Sequence, residues 1–193
     1  RAPAPPAPGS AVASSRLAPG PGGRRHASPL SRERRIGTNN GASSGRLSSV
    51  KIVCLAIGKP KLSYAAEGVR EYEARLRHYA PFSIEYLKTR DESSALLNKS
   101  EGAYRIALDE RGSQLSTREI AREITRLEDR GEIKSVAFLI GGANGHSPAL
   151  REQCEATWSL SRMTMQHELA LVVLLEQLYR AYTFKRGEPY HRE

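Results

Sequence analysis

The chain has 193 residues and 30 Lys and Arg against 21 Asp and Glu, which gives a formal net charge of +9. Residues 1–50 hold eight arginines and a single acid, so most of this charge belongs to the amino-terminal quarter and does not indicate a basic folded surface. Two distant cysteines, Cys54 and Cys154, exclude a disulfide framework and a Cys-based zinc site. The longest apolar run, residues 169–175, is far shorter than the ~20 residues that a membrane helix needs.

Pro, Gly, Ala and Ser dominate residues 1–49, and the few large apolar residues there are too scattered to bury a core. A segment rich in Arg, Ser and Ala and nearly free of acids is typical of an organelle transit peptide. The abundance of Ala, Ser and Pro favours the chloroplast over the mitochondrion. A linker or a basic arm that touches RNA is the alternative. We therefore expect a tail over residues 1–49 and one domain over residues 50–193.

Strand and helix patterns alternate through this domain. Strands are predicted over residues 50–57, 82–88, 104–109 and 135–140, with a short strand or extended loop over 158–163. Helices are predicted over residues 64–79, 91–101, 148–157 and 168–184, and another follows the capping box of Ser116 and Glu119. The alternation predicts an α/β domain whose mostly parallel sheet carries helices on both faces. Ligands bind beyond the carboxyl ends of such strands, so the candidate site comprises the loops after Asp109, Ile140 and Trp158.

Apolar residues cover almost the whole circumference of the last predicted helix, residues 168–184. A helix that is apolar all round is buried on all sides, and a small domain has little room for one. We expect one face to pack on the sheet and another on a second subunit, which gives a homodimer. A fully internal helix is the alternative.

Three segments carry residues suited to chemistry. Gly141-Gly142-x-x-Gly145 follows a strand and allows close approach to a ligand, although a tight turn would use the same residues. It fits neither a dinucleotide fingerprint nor a Walker A loop. Hydroxyls and backbone amides suited to an adenosine group occur in the run Leu160, Ser161, Arg162, Met163, Thr164 and Met165, although Thr164 could simply cap the next helix. His167 fits a ligand, a base or a helix-start histidine, and Tyr190, His191 and Arg192 fit an RNA-base clamp or a solvated terminus.

The order and spacing of these segments resemble one family. The chain reads Leu-Ile-Gly-Gly-x-x-Gly from residue 139, Trp-Ser-Leu-Ser-x-Met-Thr from 158, His167, Glu-Gln-Leu-Tyr-Arg-Ala-Tyr from 176, and Pro-Tyr-His-Arg from 189. This pattern is similar to the RlmH family, SPOUT-superfamily methyltransferases that act on a pseudouridine of large-subunit ribosomal RNA. The resemblance spans residues 50–193, and the tail suggests an organellar, plant-like version. Bacterial relatives differ at three positions: they have Lys, Pro and Arg where this chain has Ser113, Gln166 and Leu171, respectively.

The resemblance implies a SPOUT fold with a C-terminal trefoil knot, a homodimer, and methylation of N3 of a pseudouridine in ribosomal RNA or an assembled ribosome. S-adenosylmethionine would be held by Leu108, Gly141, Gly142, Gly145 and residues 160–165. Tyr190, His191 and Arg192 would contact the target nucleotide. His191 and His167 are the candidate bases for the N3 proton, and Arg192 would stabilise developing charge.

No metal or membrane partner is expected. The alternatives are a SPOUT enzyme with another target nucleotide, a silent ribosome-binding module, and, on the glycine loop alone, a nicotinamide-dependent oxidoreductase.

Overall fold

Five parallel strands form the sheet of the computed structural model, which describes residues 50–190. The strands are β1 (Lys51–Ile57), β2 (Phe82–Leu87), β3 (Tyr104–Gln114), β4 (Ser135–Ile140) and β5 (Ala156–Ser159), in the order β2-β1-β4-β3-β5. The helices are α1 (Ser63–Leu76), α2 (Glu92–Lys99), α3 (Thr117–Asp129), α4 (Pro148–Arg151) and α5 (His167–Lys185). Every neighbouring pair of strands runs parallel, so the predicted α/β parallel sheet is confirmed.

The central strand β4 shows why helices cover both faces of the sheet. Successive residues of a strand point to opposite faces. Val136 and Phe138 pack in the layer formed with α1, α3 and α5, whereas Ala137 and Leu139 pack in the layer formed with α2 and α4. Because both faces of β4 are buried from Val136 to Ile140, these residues are all apolar and do not alternate with polar ones.

The predicted capping box at the start of α3 is confirmed. Glu119 N donates to Ser116 Oγ at 3.3 Å, and Ser116 N donates to Glu119 Oε2 at 2.7 Å. These reciprocal bonds satisfy donors that a helix start leaves without partners. The helix therefore begins where the sequence places it.

The predicted end of the third strand at residue 109 is wrong, because β3 continues to Gln114. Trp158 of β5 lies opposite Leu108 and again opposite Ser113, so residues 109–112 bulge out of the ladder between them. Bulges of this kind redirect side chains near functional sites. A Cβ on Gly112 would lie 2.6 Å from the carbonyl oxygen of Thr157, so only glycine permits this approach of β3 to β5.

The predicted helix over residues 148–157 is also wrong. Leu150 N donates to Ser147 Oγ at 3.2 Å, which caps the helix start, but α4 ends after one turn at Arg151. The chain then returns to the sheet, where Ala156 and Thr157 pair with β3. This long-range pairing overrides the local helical pattern, and it starts β5 two residues before the predicted position.

One face of α5 remains partly uncovered in the single chain. Leu171, Leu174, Leu175 and Leu178 are buried, whereas Leu169 is 38% exposed and Val172 and Val173 are half-buried. The alternative of a fully internal helix is therefore wrong for one chain. A second subunit on this face stays a prediction.

Candidate active site

A cavity lies at the carboxyl edge of the sheet, where the loops after β3, β4 and β5 meet the start of α5. Its lining residues are Leu108, Asp109, Glu110, Arg111, Ile140, Gly141, Gly142, Ala143, Asn144, Gly145, His146, Leu160, Ser161, Met163, Thr164, Met165, His167 and Ala170. This is the position expected for a ligand site in a parallel sheet. The three loops singled out from the sequence thus converge on one place.

The glycine loop after β4 forms a close-packed wall of the cavity. Gly145 has φ +65°, and its N–H donates to the carbonyl oxygen of Gly142 at 3.1 Å. A Cβ on Gly141 would lie 3.0 Å from the carbonyl carbon of Gly145. Gly142 N donates to Glu92 Oε2 at 3.3 Å, so a carboxylate from α2 holds the loop from outside. At Gly141, Gly142 and Gly145 the turn therefore brings only backbone to the cavity.

The segment between β5 and α5 forms the opposite wall. Ser159 Oγ donates to the carbonyl oxygen of Ser161 at 2.8 Å, and Met163 N donates to Ser161 Oγ at 3.0 Å. Thr164 Oγ1 donates to Glu110 Oε2 at 2.8 Å. Thr164 therefore does not cap α5, since the N-cap residue is Gln166 and its side chain makes no capping bond. Instead, Thr164 ties this segment to the bulge in β3.

An ion pair and a buried histidine stabilise the loops that line the cavity. Arg151 Nη1 lies 3.1 Å from Asp109 Oδ2 and donates to the carbonyl oxygen of His146 at 2.8 Å. Arg111 approaches the same carboxylate at 3.8 Å. His146 Nε2 donates to the carbonyl oxygen of Leu139 at 3.0 Å. Burial lowers the pKa of His146, which favours the neutral imidazole.

The structure brings nine of the ten predicted cofactor-binding residues to the cavity wall. Arg162 is the exception, because its side chain is exposed and does not line the cavity. Of the predicted catalytic residues, His167 lines the cavity, whereas His191 and Arg192 lie outside the described residues.

Tyr190 lies away from the cavity of its own chain. Its ring packs edge-on against Tyr179, with 4.7 Å between the ring centroids, and the Arg180 guanidinium lies 5.1 Å from its centroid. Burial and a hydrogen bond with Tyr72 raise the pKa of Tyr190 to about 12. At 1.5 Å per residue, Tyr179 is about 18 Å along α5 from His167. One chain therefore does not bring Tyr190 and the cavity together.

Sequence reasoning missed five polar residues of the site: Asp109, Glu110, Arg111, Asn144 and His146. The available signal was their position directly after predicted strands, where side chains converge in a parallel sheet. The bulge that turns residues 109–112 toward the cavity has no local sequence signature. Glu92 was missed because it lies 50 residues before Gly142, the residue whose amide it accepts from.

Comparison with known proteins gives the family. A family profile described as "Predicted SPOUT methyltransferase" matches residues 50–191. The chain belongs to the SPOUT methyltransferase family. The protein named Ribosomal RNA large subunit methyltransferase H from Thermus thermophilus is 48% identical over 143 residues, covering 74% of this chain and 99% of that protein. The protein of the same name from Deinococcus radiodurans is 42% identical over 146 residues, covering 74% and 99%. The resemblance to RlmH is confirmed.

A solved structure described as a probable methyltransferase from Bordetella pertussis Tohama I has a TM-score of 0.48 and 16% identity. It covers 70% of this chain and 95% of the solved chain.

Within residues 50–190 of this SPOUT methyltransferase, no three His, Cys, Asp or Glu side chains are grouped to hold a metal ion. Over the same residues, no helix is long and apolar enough to cross a membrane.

Proposed function

We propose that this chain transfers a methyl group from S-adenosylmethionine to N3 of a pseudouridine in large-subunit ribosomal RNA. The observation that carries the proposal is the convergence of the family's loops on one cavity, in a chain that is 48% identical to a protein named Ribosomal RNA large subunit methyltransferase H. Family membership supports methyl transfer, and the relatives' name supports the RNA substrate.

The residues that line the cavity suit this cofactor chemically. S-adenosylmethionine supplies an electrophilic methyl group on a positively charged sulfonium. The glycine wall leaves room for a ligand against the backbone, and the Met163 to Met165 segment offers backbone amides and apolar surface. Glu110 adds a carboxylate to the lining, which complements a cationic ligand, whereas Asp109 is already paired with Arg151. Positioning of the two reactants supplies much of the rate in such a displacement.

The N3 proton of the substrate requires an acceptor near the cavity. His167 is the first residue of α5 and lines the cavity, so it can take this proton when its imidazole is neutral. Glu110 is a second acceptor in the lining, held by Thr164 Oγ1. We assign the base to His167 or to His191 of a second subunit, and comparison of pH–rate profiles for His167→Asn and His191→Asn separates them.

The distance of Tyr190 from its own cavity supports a site completed by a second copy of the chain. The partly exposed apolar face of α5, with Leu169, Val172 and Val173, is the surface on which that copy would pack. The proposal is a homodimer in which Tyr190, His191 and Arg192 of one subunit contact the nucleotide bound at the other. The knot implied by the resemblance belongs to the same proposal.

Import into an organelle is proposed from composition alone. Residues 1–49 lie outside the described residues, and their Arg, Ser, Ala and Pro content favours a chloroplast transit peptide. Fluorescent fusion of these residues in plant cells tests this point.

Calorimetric titration of the full chain with S-adenosylmethionine tests the cofactor site. We expect Gly142→Trp to abolish binding, because a Cβ there would already lie 2.7 Å from Glu92 Oε1 and the larger side chain would displace the glycine loop from its place in the cavity wall. Gly131→Trp is the control, since no atom lies within 4 Å of a Cβ there. Incubation of large ribosomal subunits with labelled cofactor, followed by nuclease digestion and mass spectrometry, then maps the product. Absence of cofactor binding by the folded chain, or methyl transfer to another nucleotide, would overturn the proposal.

A further inference from the structure

Four exposed basic side chains lie on the two loops that follow β1 and β2. They are Lys59 and Lys61 after β1, and Lys88 and Arg90 after β2, and together they are called the basic ridge below. None of the four side chains makes an ion pair or hydrogen bond with another residue of the described range 50–190, unlike Arg75, Arg126 or Arg151. The proposed methyl-transfer reaction leaves these charges unexplained.

The sheet order places the basic ridge beside the cavity. Strands β2, β1 and β4 are parallel neighbours, so their following loops emerge at the same edge. The loop after β4 is the glycine wall of the cavity, and the ridge loops come next in the order. Gly58 N donates to the carbonyl oxygen of Leu87 at 2.9 Å, which holds the two ridge loops side by side.

Two carboxylates attach these loops to the walls of the cavity. Glu168 is 5% exposed and follows His167 at the start of α5, and its Oε2 accepts from the backbone N–H groups of Lys61 and Leu62, both at 2.9 Å. Glu92, at the start of α2, accepts from Gly142 N. Each ridge loop is therefore fixed to a segment that lines the cavity. Surfaces that are already ordered lose less conformational entropy on binding.

The charge balance of the ridge loops is positive. The four cations stand against two acids, Asp91 and Glu92, which leaves a net charge of +2. Asp91 Oδ1 accepts from Ser94 N at 3.0 Å and Glu92 Oε2 accepts from Gly142 N, so neither carboxylate pairs with a ridge cation. The four ridge cations thus point to solvent beside a domain whose net charge is close to neutral: residues 51–193 carry only +2 of the chain's +9. A local cluster of this kind attracts polyanions to one place on the surface.

We infer that the basic ridge binds the phosphates of the RNA strand that carries the target nucleotide and holds that strand across the mouth of the cavity. The inference rests on the proposed function for the identity of the RNA. Phosphate contacts fix the register of a nucleic acid without reading its sequence, which suits cations on fixed loops next to a catalytic cavity. The ridge residues are thus substrate-positioning residues, and they take no part in cofactor binding.

The test uses the full chain and two double variants of the ridge, Lys59→Gln with Lys61→Gln and Lys88→Gln with Arg90→Gln. The matched control is Lys51→Gln with Lys134→Gln, which removes the same charge from exposed positions at the opposite edge of the sheet. The probes are large ribosomal subunits, and protein-free RNA extracted from them, from bacteria that lack their own enzyme of this type. Sedimentation measures binding of each probe, labelled methyl transfer gives KM and kcat, and calorimetry gives the affinity for S-adenosylmethionine.

Each ridge variant is expected to weaken binding of subunits and of RNA about tenfold at moderate salt and to reduce the salt dependence of binding by about 1.5 in log–log slope. KM for subunits rises to match, whereas kcat and cofactor affinity stay within about twofold of the unaltered chain. The control variant stays within about twofold in every measurement.

Equal effects of the ridge and control variants on RNA binding would overturn the inference, even where methyl transfer is intact. Loss of binding to subunits with unchanged binding to protein-free RNA would also overturn it, because the ridge would then contact a ribosomal protein. An unaltered chain that binds RNA through the ridge but transfers no methyl group would contradict the proposed function and leave the ridge supported. An unaltered chain that binds neither probe would overturn both.

Discussion

The two sides of the central strand β4 differ in how their loops are held. On the side of β1 and β2, carboxylates of Glu168 and Glu92 accept from backbone amides, and a Cβ on Gly58 would meet no atom within 4 Å. On the side of β3 and β5, backbone packs directly on backbone: a Cβ on Gly112 would lie 2.7 Å from the carbonyl carbon of Trp158. The cavity lies on this second, tighter side.

The two sets of loops are therefore suited to different roles. The loops on the side of β1 and β2 are held through their backbone amides, so their side chains can change while these hydrogen bonds are kept. Such loops suit a surface that contacts a large and variable partner. The second side fixes the relative position of three loops to within the contact distance of backbone atoms, as a cavity that orients two reactants requires. Substitutions on the two sides should therefore have unequal effects.

The largest expected effect comes from Gly112→Ala. The new methyl group would meet backbone atoms that cannot turn away, so we expect a loss of about 3 kcal/mol in the free energy of unfolding. Gly68→Ala on the other side is the comparison. Its Cβ would meet Val172 Cγ1 at 3.0 Å, but that contact is with a half-buried side chain and needs a shift of only a few tenths of an ångström, and alanine favours the helix by about 1 kcal/mol.

Urea unfolding measures both variants, and Gly68→Ala should change stability by less than about 1 kcal/mol. Equal losses in the two variants would show that the two sides are packed alike, which would contradict the comparison.

The same contrast explains what the sequence could predict. The strands and helices from β1 to α2 lie within about three residues of their predicted bounds, because local periodicity and the cap at Asp91 determine them. The bulge after Leu108 and the early start of β5 depend on pairing between segments about 50 residues apart, which local patterns do not contain. The cavity loops were predictable from parallel topology and the family's motifs, whereas the Asp109–Arg151 pair and the separation of Tyr190 from the cavity were not.

A second, smaller effect is expected from Arg151→Met. The Asp109 side chain is 6% exposed, and without Arg151 it would keep the backbone N–H of Arg111 at 3.0 Å and the Arg111 guanidinium at 3.8 Å, while the carbonyl of His146 would lose its donor. We expect a loss of about 2 kcal/mol in the free energy of unfolding, the usual cost of removing a hydrogen-bonded charged partner. Arg111→Met serves as the control, because that side chain is 66% exposed and its ion pair should contribute less than about 0.5 kcal/mol. A larger loss of stability in Arg111→Met than in Arg151→Met would contradict this prediction, because Arg111 would then be the arginine that stabilises Asp109.

The smallest effect is a pH dependence that belongs to the tighter side. Burial lowers the pKa of His146 below its value of about 6.5 in the unfolded chain. Above pH 6.5 both states hold a neutral imidazole, and the folded state keeps its full stability from this group. As the pH falls below 6.5, the unfolded chain takes up the proton first, so stability is lost until the pH passes the lower pKa of the folded state. His146→Gln removes this titration and retains an amide N–H for the carbonyl of Leu139. Urea unfolding at pH 7.5 and 5.5 should therefore show a larger loss for the unaltered chain than for the variant, with the other histidines cancelling in the comparison. Equal losses of stability in the two proteins would mean that folding does not lower the pKa of His146. Water would then reach the imidazole beneath the glycine loop.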